Sequence, residues 1–222
     1  MSPLLPSPDS ATTWLGRLPY RLAIAVIVLC VMHLLVMLVH YELMEIDWLI
    51  RSMFDLDEEQ SFGTWFSSLI LLFAAIILLV HAQNVRRRKQ SMALAWWFLG
   101  AGFCLLSIDE IVGMHESLNT ATEISWAIPG AIAAALIGLI YIPFLLHLPG
   151  TTMWLFIVSG ALYLGGAIGV ELLTESFAEE DLLDTLGYNL TTLVEEGMEM
   201  SGVVLFIRTL LQHINNQHDT SA

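Results

Sequence analysis

The sequence predicts an all-α fold: a polytopic membrane helix bundle of six transmembrane helices with both termini on the cytoplasmic side. Three observations predict it. Of 222 residues, 56% are apolar and only 14% charged, whereas a soluble domain carries about 25% charged residues. Apolar runs near the ~20 residues that cross a bilayer core recur six times. The few basic residues then gather on one side of the six-span arrangement.

The apolar segments run over residues 20–41, 62–82, 91–109, 125–147, 151–171 and 188–211. Residues 1–17 contain Pro3, Pro6 and Pro8 and read as a mobile cytoplasmic tail. Residues 18–213 form the bundle, and 214–222 a second cytoplasmic tail. The first segment is too long for the apolar core of a cleavable leader, and no small-residue cleavage site follows it. The stretch 45–60 mixes Trp48, Leu49, Ile50, Met53 and Phe54 with acids, the pattern of a short interfacial segment. Before the sixth segment, Gly187 and Asn189 are the expected break and N-cap. That segment is the weakest of the six because Glu195, Glu196 and Glu199 lie inside it.

Orientation follows from Lys and Arg in the short connections. Arg17 and Arg21 precede the first segment, Arg86, Arg87, Arg88 and Lys89 separate the second from the third, and Arg208 lies near the end of the sixth. Six crossings put all of these on one side and leave only Arg51 on the other. The acids, which were not used to set orientation, fall mostly on the outer side. Any chemistry is therefore expected at the external, periplasmic face. Trp14, Trp48, Trp65, Trp96, Trp97, Trp126 and Trp154 fall near segment ends and are expected to form an aromatic belt.

Composition excludes several classes. A net charge of −14 argues against nucleic-acid binding, which needs a basic face. Cys30 and Cys104 sit within apolar runs, so a disulfide framework is not expected. There is no CxxC, no P-loop and no GxGxxG. The bilayer is the expected partner, with a second copy or another membrane subunit as the candidate protein partners.

A charged residue costs about 2.5–3.5 kcal/mol at a helix centre on insertion scales, so acids within a span imply a partner or water. Glu195, Glu196 and Glu199 fall within an arc of about 100° on a helix, and Glu199 sits roughly 18 Å above an inner boundary near Leu211. The third segment supplies a second group: Asp109, Glu110, His115 and Glu116. On an uninterrupted helix Asp109 and Glu116 would share a face, and a bend at Gly113 would fold His115 and Glu116 towards the bundle. Glu171 closes the fifth segment at the same level. Carboxylates with one His are ligands for iron, manganese or zinc, and oxygen-only ligation would suit calcium or magnesium. The expectation is an outward-facing divalent-metal site of Asp109, Glu110, His115, Glu116, Glu171, Glu195, Glu196 and Glu199. Glu196-x-x-Glu199 has the step of a bundle di-iron motif without its His. The alternatives are a cation or proton pathway using the same acids and a non-catalytic subunit. No residue is assigned a catalytic role. His33 reads as a hydrogen-bonded interior histidine, and His81 and His147 as inner-boundary residues.

The segment Trp65 to Ser68, WFSS, and the segment Ser107 to Glu116, S-x-DE-x4-HE, resemble those of an uncharacterised group of bacterial inner-membrane proteins. The resemblance implies a multipass inner-membrane location and a shared role for Asp109, Glu110, His115 and Glu116. It implies no substrate or activity.

The topology has a direct check. With Cys30 and Cys104 replaced by serine, Arg87→Cys should react with an impermeant thiol reagent from the cytoplasmic side and Glu180→Cys from the opposite side. Reaction of both from one side would contradict six crossings.

Overall fold

The computed structural model describes residues 8–114, 117, 125–179 and 182–219. Among these, every regular element is helical: α1 (Pro8–Glu42), α2 (Trp48–Phe54), α3 (Phe62–Arg87), α4 (Ala93–Val112), α5 (Ala127–His147), α6 (Gly150–Leu164), a π-helical turn (Gly165–Val170), α7 (Glu171–Glu179) and α8 (Leu186–Asp219). Five stretches are long and apolar enough to cross a membrane: Gly16–Glu42, Phe62–Arg87, Ala93–Val112, Ala127–His147 and Gly150–Thr174. Their exteriors match that reading. Ile132, Leu136, Leu139 and Ile140 of α5 and Ile24, Ile27 and Val28 of α1 are exposed, a surface too extensively apolar for water.

Helix α8 does not reach the apolarity of the other five, yet it is the axis of the bundle. It packs against α1, α3, α6 and the π turn. Met200, Val203, Ile207 and Leu210 are among its fully buried side chains, and they meet Leu71 and Leu78 of α3 in one core. Polar residues can be spread along α8 because its neighbours, not lipid, surround it. Helices α3 and α4 form a tight antiparallel pair. Ser68 Oγ donates to the Ser107 carbonyl at 2.8 Å and Ser107 Oγ to the Ser68 carbonyl at 2.9 Å, a reciprocal clamp of the kind that small polar residues make between membrane helices.

At the outer end, His33 of α1 is the strut. It is 1% exposed. Its Nδ1 accepts from the Leu56 N–H at 3.1 Å, and its Nε2–H donates to the Asn189 carbonyl at 3.0 Å. The neutral Nε2–H tautomer satisfies both contacts at once. The ring thus joins α1 to the α2–α3 connection and to the first turns of α8. Asp55, whose Oδ1 lies 3.8 Å from His33 Nδ1, is pushed above the usual carboxylate range by burial. A second tie lies outside it: Asp184 accepts from the Tyr41 hydroxyl at 2.7 Å and from Arg51 Nη1 at 3.1 Å. These two donors hold the Asp184 carboxyl below its ordinary value. The tie therefore stabilises the fold above the usual carboxylate range and is lost as pH falls through the depressed value.

Three expectations change. The fifth segment does not end at Glu171. The small-residue run Gly165–Val170 widens into a π turn and the helix continues to Glu179. The N-cap of α8 is not Asn189, whose Nδ2 instead donates to the Thr185 carbonyl and the Tyr41 hydroxyl; Thr185 Oγ1 accepts from the Tyr188 N–H at 3.3 Å and fills the role. Of the two courses expected after Asp109, an uninterrupted helix and a bend at Gly113, the chain takes the second, and α4 ends at Val112. Gly113 adopts a left-handed φ of 58° and its N–H caps the Asp109 carbonyl at 2.8 Å, which ends the helix. Trp96 is not a belt residue: it is 3% exposed and packs edge-on against His81 and Phe144. Trp48, Trp65 and Trp154 are exposed. The interfacial expectation for 45–60 corresponds to α2, where Trp48, Leu49 and Ile50 are exposed.

Removing the His33 ring leaves a buried N–H and a buried C=O without it, at about 1–3 kcal/mol for each unpaired group. His33→Ala should lower the unfolding free energy in detergent by that amount, read from a lowered unfolding midpoint, and His33→Gln by less. Unchanged stability in the alanine variant would contradict the strut.

Candidate functional site

The acids of α8 are placed by two close backbone approaches. A Cβ on Gly166 would lie 2.7 Å from the Glu195 carbonyl and 2.9 Å from Glu199 Cγ, and one on Gly202 would lie 2.8 Å from the Ser159 carbonyl and the Tyr163 N. Only glycine permits these contacts, the membrane-helix device of small residues at an interface. They press α8 onto α6 and the π turn. The widening of the π turn brings an extra residue into the same stretch, a feature often found at functional sites. Glu199 is 9% exposed, and Glu195 and Glu196 are half-buried. The Tyr163 hydroxyl of α6 hydrogen-bonds the Glu199 carboxylate.

These groups line a cavity of about 1170 Å³ between α4, α5, α6 and α8. Of the eight residues selected from the sequence, six line it: Asp109, Glu110, Glu171, Glu195, Glu196 and Glu199. Asp109 and Glu110 come from the last turn of α4 before Gly113. Glu171 opens α7, where its Oε2 accepts from Thr174 Oγ1 at 3.1 Å. His115 and Glu116 lie outside the described residues. The expected convergence of the third and sixth segments takes a particular form. Phe103 of α4 stacks on Phe206 of α8 at 4.6 Å, and the acids of both helices line the one cavity.

Among the further lining residues that sequence reasoning did not select are Asp57, Glu59, Trp126, Tyr163 and Tyr188. The Tyr188 hydroxyl donates to Asp57 Oδ2 at 2.9 Å, which ties the α2–α3 connection to α8. Tyr163 carried a signal, a phenol within an apolar run. Asp57 and Glu59 carried none, since a surface loop and a cavity mouth look alike in sequence. Among the described lining residues none is Lys, Arg or His. Among the described residues no group of three or more His, Cys, Asp or Glu is close enough to hold a metal ion as the side chains stand. The long wall of the cavity is apolar: Phe98 and Leu105 of α4 face Ile137 and Ile140 of α5. All four are also exposed on the exterior, so the cavity opens sideways between α4 and α5. Phe103 lines it with Phe206 stacked behind at 4.6 Å and Phe156 stacked on Phe206 at 4.6 Å, and the lining continues past Phe103 to Leu99, Tyr141 and Phe144.

Fold and cavity together define a helical bundle of membrane type that holds a carboxylate-rich chamber among its helices. The chain belongs to the family described as domain of unknown function DUF8692, whose model matches residues 21–214. No curated protein and no solved structure matches it.

Proposed function

We propose that this is a six-span bacterial inner-membrane protein, N-in and C-in, whose outer-half chamber binds a divalent cation. Helix α8 is the sixth crossing, carried through the bilayer by the helices around it. Glu196 and Glu199 are the central ligands, with Asp109, Glu110, Glu171 and Glu195 around them and His115 and Glu116 completing the set. The observation that carries this reading is the gathering of six selected carboxylates in one chamber whose described lining holds no cationic side chain. Left without a counter-charge, such a group would repel itself and oppose burial. A cation supplies the missing charge, and small side-chain rotations that shorten the distances across the chamber would complete its ligation. Carboxylates with one His favour iron, manganese or zinc, and the oxygen-rich set also accepts calcium or magnesium.

A second reading has a specific observation behind it: the chamber is far larger than one ion and opens between the apolar walls of α4 and α5. Apolar walls with a few polar groups at one end are the usual lining of an organic-ligand site. The cation could then be the headgroup of an amphiphile entering from the bilayer.

Metal content and thermal stability of the detergent-purified chain distinguish these readings. A ligand at 100-fold excess over its dissociation constant stabilises the native state by about 2.7 kcal/mol. The wild type should show a stability rise of that order with one of iron, manganese, zinc, calcium or magnesium. Glu199→Gln, which keeps the shape and loses the charge, should fold and respond less. No response to any of the five metals in the wild type, or an equal response in both proteins, would contradict the metal site.

A further inference from the structure

At the opposite end of the bundle lies a second cavity, of about 630 Å³. It is enclosed by the α3–α4 and α5–α6 connections and by the last turns of α8. Its chemistry is the inverse of the outer chamber. Among its described lining residues there is no Asp, Glu, Lys or Arg; the polar ones are neutral amides, hydroxyls and imidazoles, including Gln90, Ser91, Gln212 and His213. In a chain of net charge −14, a polar cavity lined without a carboxylate is a site from which anions are not repelled.

Two independent features aim donors into this space. The first is the N-terminus of α6, a helix of 15 residues whose N-cap, Pro149, provides no side-chain hydrogen bond. The first N–H groups of a helix have no partner within it and carry the positive end of its dipole. Pro149, Thr151 and Thr152 of this turn all line the cavity. The second is Thr152 itself. It is only 8% exposed, and among the described residues its hydroxyl, open to the cavity and not sealed from it, makes no hydrogen bond. Beside the cavity, the exposed run Arg86, Arg87, Arg88 and Lys89 links the lining residues Val85 and Gln90. On the other side, the floor is aromatic, with Trp96 packed edge-on against Phe144 at 4.8 Å.

We propose that this cavity binds a phosphate group. The phosphate oxygens accept from the α6 N-terminal N–H groups and from the Thr152 hydroxyl, as anions commonly do at helix N-termini. The basic run supplies the surrounding positive potential, and the Trp96–Phe144 floor lies against the organic body when the phosphate carries one. Two sources offer this chemistry: a phospholipid headgroup of the adjacent leaflet and a free phosphate. The site is independent of the outer chamber and of whether that chamber holds a metal.

The test uses the full chain in an uncharged detergent, with unfolding temperature as the readout and two titrants, inorganic phosphate and phosphatidylglycerol added to the micelles. The wild type should gain stability with at least one. A response to phosphatidylglycerol alone identifies the lipid headgroup, and a response to inorganic phosphate identifies the free anion. Thr152→Val should need about tenfold more titrant for the same rise, and Thr152→Ser should match the wild type. Thr152→Ala serves where the valine variant does not fold. No rise with either titrant in the wild type would overturn the proposal, as would an undiminished response on removal of the hydroxyl.

Discussion

Helix α8 carries three carboxylates through the middle of the bundle, and what lets it do so is the close approach of its backbone to α6 and the π turn at Gly202 and Gly166. Lipid tails are as apolar as leucine, so membrane helices do not associate by burying apolar surface; they associate where backbones can come close and side chains interlock. Two glycines give α8 that contact on one side. The core formed by Met200, Val203 and Ile207 with Leu71 and Leu78 gives it on the other. With α8 held this way, a helix too acidic to qualify as an independent span lies inside the structure, and its acids face a chamber instead of lipid.

The rest of the outer half follows from that placement. Asn189 sits where its carbonyl meets His33, and Tyr188 where its hydroxyl reaches Asp57, so the first turns of α8 organise both the α1 end and the α2–α3 connection. Phe103 of α4 meets Phe206 of α8, and Asp109 and Glu110 line the same chamber as the α8 acids. The Ser68–Ser107 clamp holds α4 on α3, which keeps Asp109 and Glu110 at the chamber's edge. The two ends of the molecule then differ sharply: acids converge at one, neutral donors beside a basic loop at the other.

Much of this was legible in the sequence because it rests on local properties. Five of the six segments are helices of spanning length and composition, since apolar run length is a one-dimensional signal. Glu195, Glu196 and Glu199 share a face because helical periodicity alone decides it, and His33 was identifiable as an interior hydrogen-bonded residue. The misreadings arose where tertiary contacts override local pattern. Asn189 is a good N-cap by type, but its side chain is committed to Tyr41 and the Thr185 carbonyl. Trp96 stands at a segment end, yet the aromatic layer around Phe144 and His81 draws it inside. The π turn followed from no periodicity, since it reflects how Gly166 meets α8. The inner cavity was invisible, because its lining comes from two separate connections and the end of α8, with no shared motif.

The central claim is that the acidic stretch of α8 lies against the middle of α1, deep inside the bundle. A Cβ at position 197 would stand 3.5 Å from the native Cys30 Sγ, within reach of a disulfide after a small shift. Gly197 lies between Glu196 and Met198, and Cys30 near the centre of the Gly16–Glu42 span. Copper-catalysed oxidation of Gly197→Cys in membranes, with Cys104→Ser to remove the other thiol, should therefore join α1 to α8 within one chain. Mass spectrometry should find the two peptides linked. Folded protein in which Cys30 and the new cysteine both remain free thiols after oxidation would place the acids elsewhere and contradict the account.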